Sequence, residues 1–360
     1  MNHEHWMRHA CMLARRGTGH VSPNPRVGAV VVRNNQIVAE GWHKVFGGPH
    51  AEANALAAFD GIIDGATLYV TLEPCSHIGK QPACTTAILA SGIQTVVVGM
   101  HDPNPNVQGG GIEFLRQHGI TVITDVCREE CMWINRFFTT WVAQHRSYVI
   151  GKIATTADGC ARATTHGGRW ITSLASRTRV HDLRAEVDCV LSGIGTVLAD
   201  DPLFTVRHVD GRNPARAILD TTCSMPPSTA IAQSAREIPT YIFCSNDASQ
   251  SSEAQALRAS GCIVVPSLVI DDRLDLGNVM TTLASFGFTS VMVESGPTLM
   301  QAMVQHGILD EIEIHTGIGQ GDASCIWDPV CVSPDPHQYV QHSVARCDGD
   351  THTVYTRSLA

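Results

Sequence analysis

Apolar positions in this chain alternate between two spacings, and the changes of spacing mark out its elements. Residues 3–16 place Trp6, Met7, Ala10, Cys11, Leu13 and Ala14 on one stripe, which predicts an amphipathic opening helix. Two short apolar runs follow, Val27 to Val32 and Ile37 to Trp42, with Asn34-Asn35 between them. Asparagine tolerates the positive φ of a tight turn, so this pattern predicts an antiparallel hairpin. Residues 51–59 read as a helix and 67–72 as a β-branched buried strand. Residues 82–91 read as a helix with proline in its first turn and Gly92 just past its end. Strands are expected over 95–99 and 120–124, and one closing helix over 126–146. A second block begins near Tyr148. Its strand-like runs are 189–192, 217–220, 241–244, 262–266 and 290–294, with helical patterns over 173–186 and 298–305. Strands alternating with helices predict α/β architecture throughout. A chain of 360 residues exceeds one ordinary core, so two domains are expected, 1–146 and 147–360.

Composition narrows the function classes. Hydrophobic residues at 44% and charged residues at 16% describe a folded globular chain. The net charge of -9 argues against a nucleic-acid surface, while a few arginines can still hold a small anionic substrate. The N-terminus lacks a basic segment followed by an apolar one, and no run is long enough to span a membrane. A cytoplasmic protein is therefore expected. In a reducing compartment the 13 irregularly spaced cysteines read as two metal ligands and otherwise as small buried hydrophobes. Cys127 and Cys131, one helical turn apart, belong to the second group. Gly109-Gly110-Gly111 reads as a flexible helix entry.

The chemistry is concentrated between His50 and Cys84. His50-Ala51-Glu52, Pro74-Cys75 and Cys84 supply one imidazole, two thiols and a spare carboxylate. One nitrogen and two sulfurs suit a tetrahedral Zn2+ whose fourth position stays open for water. A structural zinc clip normally closes with four protein ligands, and no fourth is evident in this stretch. Glu52, two residues from the imidazole and not needed as a ligand, is suited to moving protons. Zinc-dependent nucleobase deaminases share this arrangement.

Further motifs extend the match. Ser22-Pro23-Asn24-Pro25, Val27-Gly28-Ala29, Gly41-Trp42-His43, Pro49-His50-Ala51-Glu52, Thr71-Leu72-Glu73-Pro74-Cys75-Ser76-His77, Gly79-Lys80, Pro82, Cys84 and Asp102-Pro103-Asn104-Pro105 occur in order. This series closely resembles the bifunctional pyrimidine deaminase/reductase of riboflavin biosynthesis. The eight residues between the two cysteines favour that branch over deaminases that have two there. The resemblance implies an N-terminal cytidine-deaminase-like α/β/α sandwich, with Asn24, His43, His77 and Lys80 around its substrate pocket.

From Lys152 the chain resembles the reductase half of the same enzymes, through Lys152-Ile153-Ala154, Asp158-Gly159, Trp170-Ile171-Thr172-Ser173, Leu183-Arg184-Ala185, Gly195 to Pro202, Thr205-Val206-Arg207 and Glu294 to Leu299. Such domains have a dihydrofolate-reductase-like α/β fold and use NADPH. The resemblance implies NADPH contacts from Ala154, Trp170, Thr196, Asp200, Gly296, Pro297 and Thr298. It implies substrate contacts from Arg184, Phe204, Arg207 and Glu294. The residues agree in part: Ser295-Gly296-Pro297-Thr298 follows a strand and opens a helix, so its N–H groups can meet a phosphate. Arg184 and Arg207 are candidates for the substrate's terminal phosphate, where a planar bidentate donor is favoured. Thr156-Ala157, Cys160, Gly168 and the Gly317–Gly321 loop depart from the family pattern. These departures keep an alternative open, a deaminase whose C-terminal half serves binding or oligomerisation. The expected partner is a small phosphorylated pyrimidine, with no nucleic acid and no membrane, in a homo-oligomer.

Overall fold

The opening stripe forms helix α1 (His3–Arg15), whose first turn is capped where Asn2 accepts from His5 N at 3.3 Å. The computed structural model describes residues 2–59, 62–76, 83–104, 110–161 and 170–358. His77, Lys80 and Gly168 lie outside them. By internal contacts the chain divides into Met1–Arg146 and Ser147–Ala360.

The first unit continues with β1 (Gly28–Arg33), β2 (Gln36–Trp42), α2 (Ala51–Leu56), β3 (Thr67–Leu72), α3 (Cys84–Ala90), β4 (Thr95–Met100), α4 (Gly110–Gln117) and β5 (Thr121–Ile123). Helices α5 (Arg128–Ile134) and α6 (Arg136–Gln144) close it. The sheet order is β2-β1-β3-β4-β5, with β1 antiparallel to both neighbours and β3, β4 and β5 parallel. Asn34 and Asn35 both take positive φ, 49° and 60°, which makes the predicted hairpin turn. Helices cover both faces. A Cβ on Gly28 would meet Ala10 O of α1 at 2.0 Å, and one on Gly41 would meet Ala51 O of α2 at 2.3 Å. Gly41 pairs with Ala29, the residue after Gly28, and neighbours along a strand face opposite ways.

One expectation fails here. Residues 126–146 form two helices, because Asn135 leaves helical geometry at φ -104°, ψ 17°. Its side chain instead accepts from Arg26 N at 2.8 Å and donates to Arg26 O at 3.0 Å. An Asn side chain able to satisfy a distant buried backbone competes with the helix ladder.

The second unit runs through β6 (Tyr148–Thr155), α7 (Leu174–Glu186), β7 (Cys189–Gly193), α8 (Ile194–Asp200), β8 (Ala215–Leu219), α9 (Ala230–Gln233), β9 (Thr240–Cys244), α10 (Ser252–Ser260) and β10 (Ile263–Pro266). A small hairpin, β11 (Val269–Ile270) and β12 (Arg273–Leu274), leads to α11 (Leu276–Ser285), β13 (Ser290–Glu294) and α12 (Pro297–Gln305). The chain then forms β14 (Glu311–Thr316), α13 (Pro329–Val332), β15 (Tyr339–Cys347) and β16 (Asp350–Arg357). The main described sheet has the order β10-β9-β8-β7-β13-β6-β14-β16-β15. The strands up to β14 are parallel, and β14, β16 and β15 are antiparallel neighbours. Strand β13 inserts between β7 and β6, and that insertion assembles the second site. Both units are α/β. All 13 cysteines are free, and Cys131 is buried with its sulfur 3.6 Å from that of Cys11. Among the described residues no helix is long and apolar enough to cross a membrane.

Candidate functional site

Strand β3 is buried along its whole length and delivers Glu73-Pro74-Cys75 at its C-terminal end. Glu73 is buried. Its Oε1 accepts from the backbone N–H of Gly111 (3.1 Å) and Ile112 (3.2 Å), and its Oε2 from that of Asp102 (3.2 Å). These bonds tie the start of α4 to the turn that carries Cys75. Gly111 is required by close approach, since a Cβ there would stand 1.7 Å from Pro74 O. The flexible helix entry read from the triple glycine is thus a packing position at Gly111. Sequence reasoning did not single out Glu73 as a site residue. Its signal was an acid stranded between a buried strand and Pro-Cys.

His50 occupies the N-cap position of α2, and Cys84 opens α3. Asn54 of α2 donates to Trp42 O (2.8 Å) and Pro49 O (3.2 Å), which holds the turn entering His50. Cys84 N donates to Cys75 Sγ at 3.3 Å, and Thr85 N to Cys75 O at 3.2 Å. His50 Nδ1 then lies 3.2 Å from Cys84 Sγ and 3.5 Å from Cys75 Sγ, all three atoms falling within 4.8 Å of one another. The hydrogen bond from Cys84, and then that from His50, lowers the Cys75 thiol to about 4, while the same sulfur contact raises Cys84. Three groups crowded enough to trade protons are arranged for a cation. Among the described residues no fourth His, Cys, Asp or Glu joins them. One nitrogen and two sulfurs with a place left over fit zinc.

Glu52 is 3% exposed, and burial first of all pushes its carboxyl up to about 7. A carboxyl at that value can both take and return a proton near neutrality. His43 is buried. Its Nδ1 donates to Pro49 O at 3.0 Å, which leaves Nε2 to accept from Asn24 Nδ2 at 3.1 Å. That pair orients the Asn24 amide, and the His43 ring lies edge-on to His50 at 5.8 Å.

In the second unit Glu294 ends β13. Arg184 of α7 grips it with two bonds, Nε to Oε2 at 3.0 Å and Nη2 to Oε1 at 2.8 Å. Lys152 of β6 adds Nζ to Oε1 at 3.4 Å. Burial alone would raise the Glu294 carboxyl; the charges of Arg184 and Lys152 outweigh it and hold the group at about 2. Arg184 Nη1 also donates to Thr205 O at 3.0 Å, and its guanidinium lies 5.9 Å from the Phe204 ring centre. Arg184 therefore differs from the expected open phosphate fork, because Glu294 fills it. Arg207 remains exposed. Its Nη1 donates to Thr205 Oγ1 at 2.9 Å, and its backbone N–H to His181 Nδ1 at 3.0 Å. Burial, and then the Arg184 charge, lowers His181 to about 4, which keeps that acceptor neutral. Lys152 and His181 were not among the expected site residues; a lysine inside an apolar strand was the available signal.

The starts of α8 and α12 meet where Gly296 N donates to Thr196 Oγ1 at 3.3 Å. Pro297 occupies the first turn of α12, with Thr298 beside it. A Cβ on Gly195 or Gly296 would meet nothing within 4 Å, so open space adjoins this backbone. That suits a cofactor phosphate. Ala154 O accepts from Trp327 Nε1 at 2.9 Å. Trp170 is exposed beneath the Arg177 guanidinium at 4.6 Å, and Asp200 is exposed at the end of α8.

The described departures from the family pattern touch one another. Cys160 N donates to Thr156 Oγ1 at 2.9 Å, and Thr156 Oγ1 bonds Asp158. Gly321 N donates to Asp158 Oδ1 at 3.0 Å, and a Cβ on Gly321 would stand 2.0 Å from Cys160 Cβ. Cys160 and Gly321 thus pack directly against one another from two separate segments of the chain.

Two family models fit the chain. The cytidine and deoxycytidylate deaminase zinc-binding region matches residues 1–100, and the RibD C-terminal domain matches residues 147–319. The riboflavin biosynthesis protein RibD of Aquifex aeolicus is 40% identical over 312 residues, covering 86% of this chain and 85% of that protein. The chain belongs to the RibD family. The Escherichia coli RibD is 35% identical over 331 residues, 88% of this chain and 87% of its own. Among solved structures, Acinetobacter baumannii RibD superposes with a TM-score of 0.84 at 30% identity, covering 99% of both chains. The Thermotoga maritima diaminohydroxyphosphoribosylaminopyrimidine deaminase/5-amino-6-(5-phosphoribosylamino)uracil reductase gives 0.82 at 34%, again over 99% of both. As a RibD, this chain is a bifunctional deaminase and reductase of riboflavin biosynthesis, with both domains present.

Proposed function

We propose that residues 1–146 hydrolytically deaminate a diaminopyrimidinone bearing a phosphoribosylamino group, and that residues 147–360 then reduce the ribosyl group to ribityl with NADPH. The observation that carries the first half is the convergence of His50, Cys75 and Cys84 beside the buried acid Glu52. Those three residues would hold zinc, which supplies a Lewis acid that makes water nucleophilic near neutral pH. Glu52 takes one proton of the attacking water and passes it to the ring nitrogen beside the attacked carbon; it then takes the second, from the hydroxyl formed on that carbon, and gives it to the amino group, which leaves as ammonia. Asn24, oriented by His43, holds the substrate, with His77 and Lys80 completing the pocket. Glu73 keeps Cys75 in place.

In the second unit Thr196 and the Gly296-Pro297-Thr298 turn cradle the cofactor phosphates, and Ala154, Trp170 and Asp200 line its remaining length. NADPH supplies the hydride chemistry, and the chain supplies position and charge. Arg184 and Lys152 fix the Glu294 carboxylate in its ionised form, so it can accept hydrogen bonds from the sugar hydroxyls. Phe204 packs at that end, and Arg207 receives the terminal phosphate. The enzyme works in the cytoplasm as a homo-oligomer. Purified protein given the deaminase substrate tests the reading: ammonia release should precede NADPH oxidation, with about one NADPH consumed per ammonia. Ammonia release without NADPH oxidation would restore the deaminase-only alternative.

A further inference from the structure

The tail of the second unit carries a side-chain cluster that neither reaction uses. Glu313 and His315 stand two residues apart on β14, so both face one side of the sheet. His315 pairs with His352 across the antiparallel β14–β16 ladder, which puts the second imidazole on that side too. The two rings stack with centroids 4.4 Å apart and 28° between their planes. Glu313 Oε2 lies 3.0 Å from His352 Nε2 and 3.7 Å from His315 Nε2, and the three donor atoms fall within 4.8 Å of one another.

A half-buried acid bonded to one histidine accounts for Glu313 and His352. It leaves His315 unexplained. That residue is 0% exposed, and neither of its ring nitrogens has a hydrogen-bond partner among the described residues. Polar atoms at such depth normally have a partner. Lys152, opposite Glu313 in the β6–β14 register, pairs its ammonium with Glu294 at 3.4 Å.

We propose that Glu313, His315 and His352 form a second metal site, which takes a first-row divalent cation of the zinc, cobalt or nickel class. Ligand bonds of about 2.1 Å separate neighbouring donor atoms by about 3.0–3.6 Å. The 3.0 Å between Glu313 and His352 already fits that range and the 3.7 Å to His315 needs a small closure, while the two imidazoles, stacked 4.4 Å apart, must turn their nitrogens toward the ion. Two imidazoles and one carboxylate favour these ions over magnesium or calcium, which prefer all-oxygen shells. The site is separate from the His50–Cys75–Cys84 group and does not depend on the reductase assignment.

Cobalt tells the two sites apart, because thiolate ligands give an intense near-ultraviolet charge-transfer band and nitrogen–oxygen ligands give only weak visible bands. The full chain, stripped with a chelator and reloaded with Co2+, should hold two equivalents by elemental analysis. The His315→Gln/His352→Gln protein should hold one and keep the near-ultraviolet band. The Cys75→Ser/Cys84→Ser protein should hold one and lose that band. Glu313→Gln, a shape-preserving change, should weaken the second equivalent at least about 10-fold. A single equivalent in the unaltered protein, unchanged stoichiometry in the double histidine variant, or unchanged affinity in Glu313→Gln would overturn the proposal.

Discussion

The two proposed reaction centres are assembled by opposite routes. In the first unit, His50, Glu52, Cys75 and Cys84 lie within 35 residues of chain, and short local elements bring them together. In the second, Glu294 meets Arg184 across 110 positions and Lys152 across 142. The first cluster is electrically incomplete: its sulfur and nitrogen atoms have mainly one another, and a cation resolves that. The second is held together without a ligand, because one carboxylate is fixed between two cations. A locally built, incomplete site announces its chemistry through residue types. A site completed by sheet order announces little until β13 is seen between β7 and β6.

The sharpest way to break this comparison is Glu52→Gln. Ammonia release should fall about 10²–10⁴-fold, the usual weight of a positioned acid–base group, with NADPH oxidation on already deaminated substrate unchanged. Loss of both activities together would mean that the sites do not act independently. Next is Glu294→Gln. The folded Glu294 carboxyl is depressed to about 2 from its ordinary 4.5, so its contribution is present above pH 4.5 and is lost as pH falls toward 2. Urea unfolding should show the variant less stable by about 3 kcal/mol at pH 6, with the gap narrowing at pH 3. A gap independent of pH would show that the ion network is not what Glu294 contributes.

Two glycines refine the contrast with smaller effects. Gly111→Ala and Gly321→Ala each push a Cβ into occupied space and should cost about 1–3 kcal/mol. The first should lower zinc content and ammonia release and spare NADPH oxidation. The second, in the unit Ser147–Ala360, should slow NADPH oxidation and spare ammonia release. The least change is expected of Arg207→Lys, which removes a bidentate donor and should raise KM for the phosphorylated reductase substrate about 10-fold. Equal KM values would remove Arg207 from the phosphate site.

Much of this was legible beforehand. The opening helix, the Asn34-Asn35 hairpin and the strands over 67–72 and 290–294 follow from apolar spacing and turn chemistry, and the structure has them at nearly those bounds. The grouping of His50, Cys75 and Cys84 was legible because thiols and imidazoles at such spacing have few other uses. The break at Asn135 was not, since its partner is the backbone of Arg26, more than 100 residues away. Glu73 was hidden for the same reason, its partners being amides of a later helix. Arg184 was expected at the substrate's phosphate, and its sequence neighbours do not reveal that Glu294 fills its fork. The pairing of Cys160 with Gly321 emerged only from packing, since each alone reads as a departure. The β14–β16 ladder that joins His315 to His352 depends on long-range register as well.

The central claim is that a zinc ion in the first unit is held by one nitrogen and two sulfurs, with Glu52 beside it and not bound to it. An anomalous-difference map at the zinc edge from crystals of the full chain tests this most directly. The account predicts a peak at about 2.0–2.3 Å from His50 Nδ1, Cys75 Sγ and Cys84 Sγ, with the Glu52 oxygens outside bonding distance. Density showing those three side chains with no peak between them, or Glu52 as a fourth ligand, would contradict it.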